Sequence, residues 1–249
     1  MTSLTVVPLD GLPEVEAGAD LAGLLLSSMD RLRLTPVATD VIVVTQKVVS
    51  KAEGRVIRLD SVTPASEAMR LAADTGFEPR HVEVILRESV RVVRVAPRVL
   101  ITETRHGFVS ANAGVDRSNA GSRDLLVLLP VDPDASAAAL RRRVAERTGV
   151  ELGVLISDSF GRAWREGQVN VAIGAAGVSC LTDYRGLQDG EGYELHGTML
   201  ATGDELASAA EVVMRKLDRV PAALLRGIDV RGEGNARVLL RDPALDLFR

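Results

Sequence analysis

"RVVRVAPRVLITETRHGFVSANA", Arg91 to Ala113, sets three β-branched runs in succession with only "APR" and "TRHG" between them. Parallel strands need a crossover of about a dozen residues or more, so connections this short favour hairpin-linked antiparallel strands. Working outward, further strand-like runs fall at 4–9 (LTVVPL), 40–50 (DVIVVTQKVVS), 124–131 (DLLVLLPV), 153–159 (GVLISDS) and 169–178 (VNVAIGAAGV). Helical patterns lie between them. "GADLAGLLLSSMDRL" (18–32) follows an Asp cap, and "TPASEAMRLAADTG" (63–76) has Pro near its start and Gly at its end. "DPDASAAALRRRVAERTG" (132–149) carries acids in its first turn, bases towards its last and a terminal Gly, and "TGDELASAAEVVMRKL" (202–217) is nearly as clear. The reading is an α+β fold with mixed or antiparallel sheets and flanking helices, rather than a doubly wound sheet. No internal repeat or Gly/Ser-rich linker divides it, so one domain over residues 1–249 is expected. The apolar pair in the tail "RDPALDLFR" is expected to dock.

Composition excludes several classes of function. The net charge of -4 comes from 34 acids interspersed with 30 bases, which leaves no basic footprint for nucleic acid and no polybasic membrane anchor. Aromatic residues are only 3%, so a base-stacking platform is not expected. The amino terminus lacks a signal-peptide pattern, and no run approaches the ~18 apolar residues of a membrane span. A single cysteine, Cys180, fits a reducing compartment, and the expected location is cytoplasmic. His81, His106 and His196 form no zinc spacing, so any metal would be held by oxygen ligands.

Three clusters of polar residues interrupt the apolar runs. "VVTQKVVSKAEGR" (43–55) places Gln46, Lys47, Ser50 and Lys51 at a strand end, where ligands of α/β proteins often sit; an exposed turn is the alternative. It is not a Walker loop. "HGFVSANAGVDRSNAG" (106–121) surrounds Asn112, Asp116, Ser118 and Asn119 with small residues that allow close backbone approach to a ligand, or form only a capped turn. "VLISDSFGRAWREGQ" (154–168) should deliver Asp158 and Ser159 to the end of a buried strand, with a sharp turn at Gly161. Asp116 and Asp158 could share a hard divalent ion that keeps positions open for substrate phosphates. Arg162 and Arg165 suit bidentate contact with phosphate or carboxylate, or a surface ion pair with Glu166, and Trp164 would pack beneath them. "GAAGVSC" (174–180) lacks dinucleotide-loop spacing, and Cys180 reads as a small core residue.

The order of "LPEV", "VVTQKVVSKAEGR", "HGFVSANAGVDRSN", "ISDSFGRAWREGQVNVAIGAAG", "DYRG" and "ATGDELASAAEVVM" resembles the coenzyme F420-0 L-glutamate ligases over nearly the whole chain. In actinobacteria the same module looks like the amino-terminal half of a larger bifunctional protein, whose nitroreductase-like half is not expected here. The resemblance implies an F420 ligase-like fold, an intertwined homodimer, two divalent cations (magnesium or manganese) and a potassium ion as a further candidate. It also implies GTP-dependent joining of L-glutamate to F420-0 with release of GDP and phosphate, then addition of γ-linked glutamates. Carried over by motif, Leu12, Pro13, Glu14, Val15, Gln46 and Lys51 would line GTP, Asn119 would contact it, Asp116 and Asp158 would hold metal, and Ser159 would help hold the second ion. Lys51, Asp116, Asp158 and Arg162 are then the candidate catalytic groups.

A family nucleotide-binding segment falls on Met214, Arg215, Lys216, Leu217, Asp218, Arg219, Val220 and Pro221. In some relatives an amide there coordinates the second metal. Lys216 stands at that position, and an ammonium is not a metal ligand. Either backbone or water holds the second metal, or Lys216 binds phosphate instead. Two other functions fit the same groups: a metal-dependent nucleotide or phosphoester hydrolase, and a non-catalytic deazaflavin or nucleotide carrier.

Overall fold

The computed structural model describes residues 3–117 and 124–246. Its main sheet has the order β1 (Thr5–Leu9), β12 (Ala222–Arg226), β2 (Val41–Thr45), β8 (Gly153–Arg162) and β9 (Arg165–Ala176). Only β2 and β8 are parallel; the other neighbours are antiparallel. The sheet is therefore mixed, as the sequence predicts.

Both faces of this sheet are covered, which explains why "VIVV" in β2 is continuously apolar rather than alternating. Ile42, Val44, Val154, Ile156 and Leu224 face α1 (Leu21–Arg31) and α5 (Pro133–Thr148). Val41, Val43, Leu155, Ala223 and Leu225 face α6 (Thr202–Met214). Asp20 caps α1 by accepting the Gly23 N–H, and Asp132 caps α5 by accepting that of Ala135.

The stretch 91–113 forms the predicted antiparallel sheet: β4 (Ser89–Ala96), β5 (Val99–Thr104) and β6 (Val109–Ala111). Behind it lie α3 (Ser66–Thr75) and α4 (Pro79–Arg87), with β3 (Val56–Arg58) paired to β7 (Leu125–Val127). Leu71, Val82, Ile85, Leu100 and Leu126 close this second core. A short pair, β10 (Thr182–Asp183) and β11 (Met199–Leu200), brackets a largely exposed segment.

Three expectations need correction. The strand read over 40–50 stops at Thr45, and α2 (Gln46–Ala52) begins at once, because its polar groups repeat at helical spacing: Ser50 Oγ donates to Gln46 Oε1, four residues away, at 2.9 Å. Asp158 and Ser159 do not end their strand; β8 runs on to Arg162 because β9 pairs with it as far as Arg165. The last helix stops at Met214, where Arg215 takes φ 52. The expected docking of Leu247 and Phe248 lies outside the described residues. Among the described residues no helix is long and apolar enough to cross a membrane.

Candidate active site

The parallel register of β2 and β8 ends at Thr45 opposite Ser157. There β2 leaves the sheet for α2, while β8 continues, so Asp158 and Ser159 project past the carboxyl end of the parallel pair, the usual ligand position in sheets of this kind. A register shift in the β8–β9 pairing falls between Ile156 and Ser157, where the strand changes from apolar to polar. Alternation along the strand then sends the two side chains to opposite sides.

On one side Asp158 meets Asp116 and Lys47. Asp116 is fixed by a two-hydrogen-bond bridge to Val127, at 3.0 and 2.9 Å. Lys47, on α2, places its Nζ 2.6 Å from the Asp116 carboxylate. Burial, with the like charge of Asp116 added, pushes the Asp158 carboxyl up to about 6; the Ser159 backbone N–H and the ammoniums of Lys47 and Lys216 pull the other way. His81, also buried, is pushed below the usual histidine range by desolvation and then by Arg117.

On the other side Ser159 lies opposite Asn170 of β9. Its hydroxyl donates to Asn170 Oδ1 at 2.7 Å, and Asn170 Nδ2 donates to Glu211 of α6 at 2.8 Å. Lys216 Nζ donates to the same Ser159 hydroxyl and stands 4.0 Å from Glu211.

A third group adjoins through α2. Lys51 forms an ion pair with Glu14, and Arg219 approaches that carboxylate at 3.6 Å. In the loop after β1, Val15 is buried and Leu12 packs on the core, while Pro13 and Glu14 remain outward. Pro221 accepts the Thr45 N–H at 2.9 Å, which ties the 214–221 segment to the end of β2. Within that segment Met214 is a core residue, Leu217 is fully outward, Val220 packs on the sheet, and Arg215 approaches Asp218 at 3.7 Å. Gln46 is buried, and its Nε2 has no hydrogen-bond partner among the described residues. Such an orphaned donor can meet a ligand acceptor.

The pattern characteristic of F420-0:gamma-glutamyl ligases matches residues 11–227. The chain belongs to that family. It is 44% identical to the coenzyme F420:L-glutamate ligase of Methanothermobacter thermautotrophicus, over 99% of both chains. The protein of the same name from Methanopyrus kandleri is 47% identical, over 100% of this chain and 99% of its own. That from Methanocaldococcus jannaschii is 45% identical over 84% of each.

Against this family assignment, the donor chemistry can be compared with the expected metals. Asp116 and Asp158 offer two carboxylates, and among the described residues no group of three His, Cys, Asp or Glu side chains converges. Two carboxylates with the remaining positions left to water and phosphate is the chemistry of a magnesium–nucleotide site. The Ser159 side does not fit a second ion in the same way, because its hydroxyl already meets Asn170 and an ammonium.

The F420 ligase motifs do not all converge. Arg162 lies four residues beyond Asp158, about 13 Å along an extended strand. Its guanidinium donates to the Glu166 carbonyl at the hairpin tip rather than reaching the Asp116–Asp158 pair. Arg165 is exposed, and Trp164 is 75% exposed. Asn119 and Ser118 lie outside the described residues. Cys180 is a buried core thiol pushed up to about 12 by desolvation. Sequence reasoning missed Asn170 and Glu211. The available signal was a lone polar side chain inside "VNVAIGAAG" and a lone carboxylate late in an otherwise apolar helix.

Proposed function

We propose that this chain is a coenzyme F420-0:L-glutamate ligase, dependent on GTP and a divalent cation, that acts as a homodimer and extends the first glutamate with further γ-linked ones. The single observation that carries the reading is the meeting of Asp116, Asp158 and Lys47 at the carboxyl end of the β2–β8 pair, beside the loop of Glu14 and the 214–221 segment. The names of relatives similar over their full length supply the substrates.

Forming an amide from a carboxylate needs a leaving group better than oxide. Attack of a precursor carboxylate oxygen on the γ-phosphorus of GTP breaks the bond to GDP and gives an acyl phosphate. The glutamate amine then attacks the acyl carbon, phosphate leaves and the amine gives up a proton. Catalysis of phosphoryl transfer rests on positioning and charge neutralisation, so no covalent nucleophile is required. Asp116 and Asp158 would hold the divalent ion, which supplies charge neutralisation at the phosphates. Lys47 holds Asp116 in place and adds positive charge, Lys51 is anchored by Glu14 at the nucleotide loop, and Gln46 Nε2 offers a free donor.

Incubation with F420-0, GTP, glutamate and Mg2+ or Mn2+ should yield a product heavier by one glutamyl unit, with GDP and phosphate. GTP turnover that proceeds equally without glutamate would instead indicate a hydrolase, and GTP binding without turnover a carrier.

A further inference from the structure

We propose that Lys216 is a built-in cation whose ammonium takes the place of a divalent ion at Ser159, so that this site takes one divalent ion per chain rather than two. The inference deepens the nucleotide- and metal-dependent reading above and rests on it.

The position of Lys216 is imposed by the backbone. Helix α6 ends with Met214 locked in the core, and Arg215 adopts φ 52, a left-handed conformation unfavourable for a side chain of its size. The chain thus leaves the helix axis within one residue. Arg219 also has a positive φ, 58, and Pro221 then joins β2 through the Thr45 N–H. A strained turn fixed at both ends delivers residue 216 to the face of β8 that carries Ser159.

The contacts there are those of a cation site already filled. Ser159 has one proton, which goes to Asn170 Oδ1, and one of its two lone pairs accepts from Lys216 Nζ, which sets a positive charge directly beside the other. Asn170 in turn spends an Nδ2 proton on Glu211, so its Oδ1 is held towards Ser159 and cannot turn away. A magnesium ion bound to the Ser159 oxygen would sit about 2.1 Å from it, in direct opposition to the ammonium. Charge points the same way. Asp116, Asp158 and Glu211 bring three carboxylates, whereas Lys47 and Lys216 bring two ammoniums. One divalent ion reverses the sign of the cluster and makes it attractive to a triphosphate; a second would have to enter against Lys216.

The test counts Mn2+ bound per chain by equilibrium dialysis with electron paramagnetic resonance, at saturating non-hydrolysable GTP analogue. The wild-type chain should bind one, Lys216→Arg should also bind one, and Lys216→Gln, which replaces the charge with an amide oxygen, should bind two. A wild-type count of none or two overturns the proposal, as does a Lys216→Gln count that stays at one. Product formation by the wild type, assayed separately, distinguishes the two readings: glutamylated product with two bound Mn2+ sinks the built-in cation and leaves the ligase standing.

Discussion

Lys47 Nζ lies 2.6 Å from the Asp116 carboxylate, and the same ammonium pulls the Asp158 carboxyl downward against its burial. One lysine therefore counterbalances both acids of the site. Replacing it by methionine keeps most of the stem and deletes the charge. In the absence of nucleotide, Lys47→Met should bind Mn2+ more tightly, since a competing cation has gone. Its turnover should nevertheless fall, by about 10² to 10³ if Lys47 stabilises charge developing on phosphate. Opposite movements of Mn2+ affinity and kcat would support this role; an unchanged kcat would reduce Lys47 to a structural ion pair.

Asp158 should trade stability for binding. Its folded carboxyl sits at about 6, against 3.8 when unfolded, so between those values the native state holds more protons than the unfolded one. Stability therefore falls as pH rises through this window. Above it the metal-free protein carries the full penalty, about 2–3 kcal/mol after allowance for solvent. Urea unfolding in EDTA should show Asp158→Asn gaining on wild type between pH 5 and pH 7.5, while metal-dependent GTP turnover is abolished. Wild-type Mn2+ affinity should rise over the same interval as the carboxylate becomes available. An Asp158→Asn protein less stable than wild type at both pH values would contradict the assignment.

Much of the frame was legible because long periodic segments declare themselves. Helix α5 has caps, dipole-compatible charges and a terminal Gly149 at φ 71. The segments that escaped are those where local preference and context disagree. In α4, Val82, Val84 and Ile85 look like a strand, and Glu78, which accepts the N–H groups of Arg80 and His81, marks the helix start together with Pro79 at its first position. Strand β12 is short and alanine-bearing, and gains its identity by lying between β1 and β2. In the site, Asp158 and Ser159 stood out as polar groups after an apolar run, and Asp116 as a carboxylate among small residues. Lys47 was visible but not separable from Lys51, because their partners, Asp116 and Glu14, lie far away in sequence. The Asn170–Glu211 contact spans 41 residues and no local pattern encodes it.

Gly174 is where β9 receives the start of α5. A Cβ there would lie 2.3 Å from the Pro133 carbonyl oxygen, a backbone atom that cannot turn aside. Nearby, Asp134 Oδ1 accepts the N–H groups of Ala175 and Ala236, each at 2.8 Å, and closes the junction. The apparent dinucleotide-loop glycines of "GAAG" therefore serve helix–sheet packing. Gly174→Ala should cost about 1–3 kcal/mol in urea unfolding through overpacking. Asp158, of the proposed GTP site, pairs with Val171 and not with Gly174, so the KM for GTP in the folded fraction should be unaltered.

Asn170 joins Ser159 of the sheet to Glu211 of α6 at hydrogen bonds of 2.7 and 2.8 Å, and its own carbonyl accepts from Ser208 at 2.8 Å. The backbone bond survives substitution, so the side chain can be removed without cutting the strand from the helix. Asn170→Ala would leave the Glu211 carboxylate and the Ser159 hydroxyl each short of a partner in a half-buried place, a loss of about 1–2 kcal/mol on thermal or urea unfolding. Asn170→Asp keeps the size and the acceptor for Ser159 but faces Glu211 with a like charge. That variant should be the less stable at pH 8 and recover at pH 5, as one of the two carboxyls takes up a proton and can donate to the other. A pH-independent deficit in Asn170→Asp would mean that Glu211 turns out to solvent when its partner is lost.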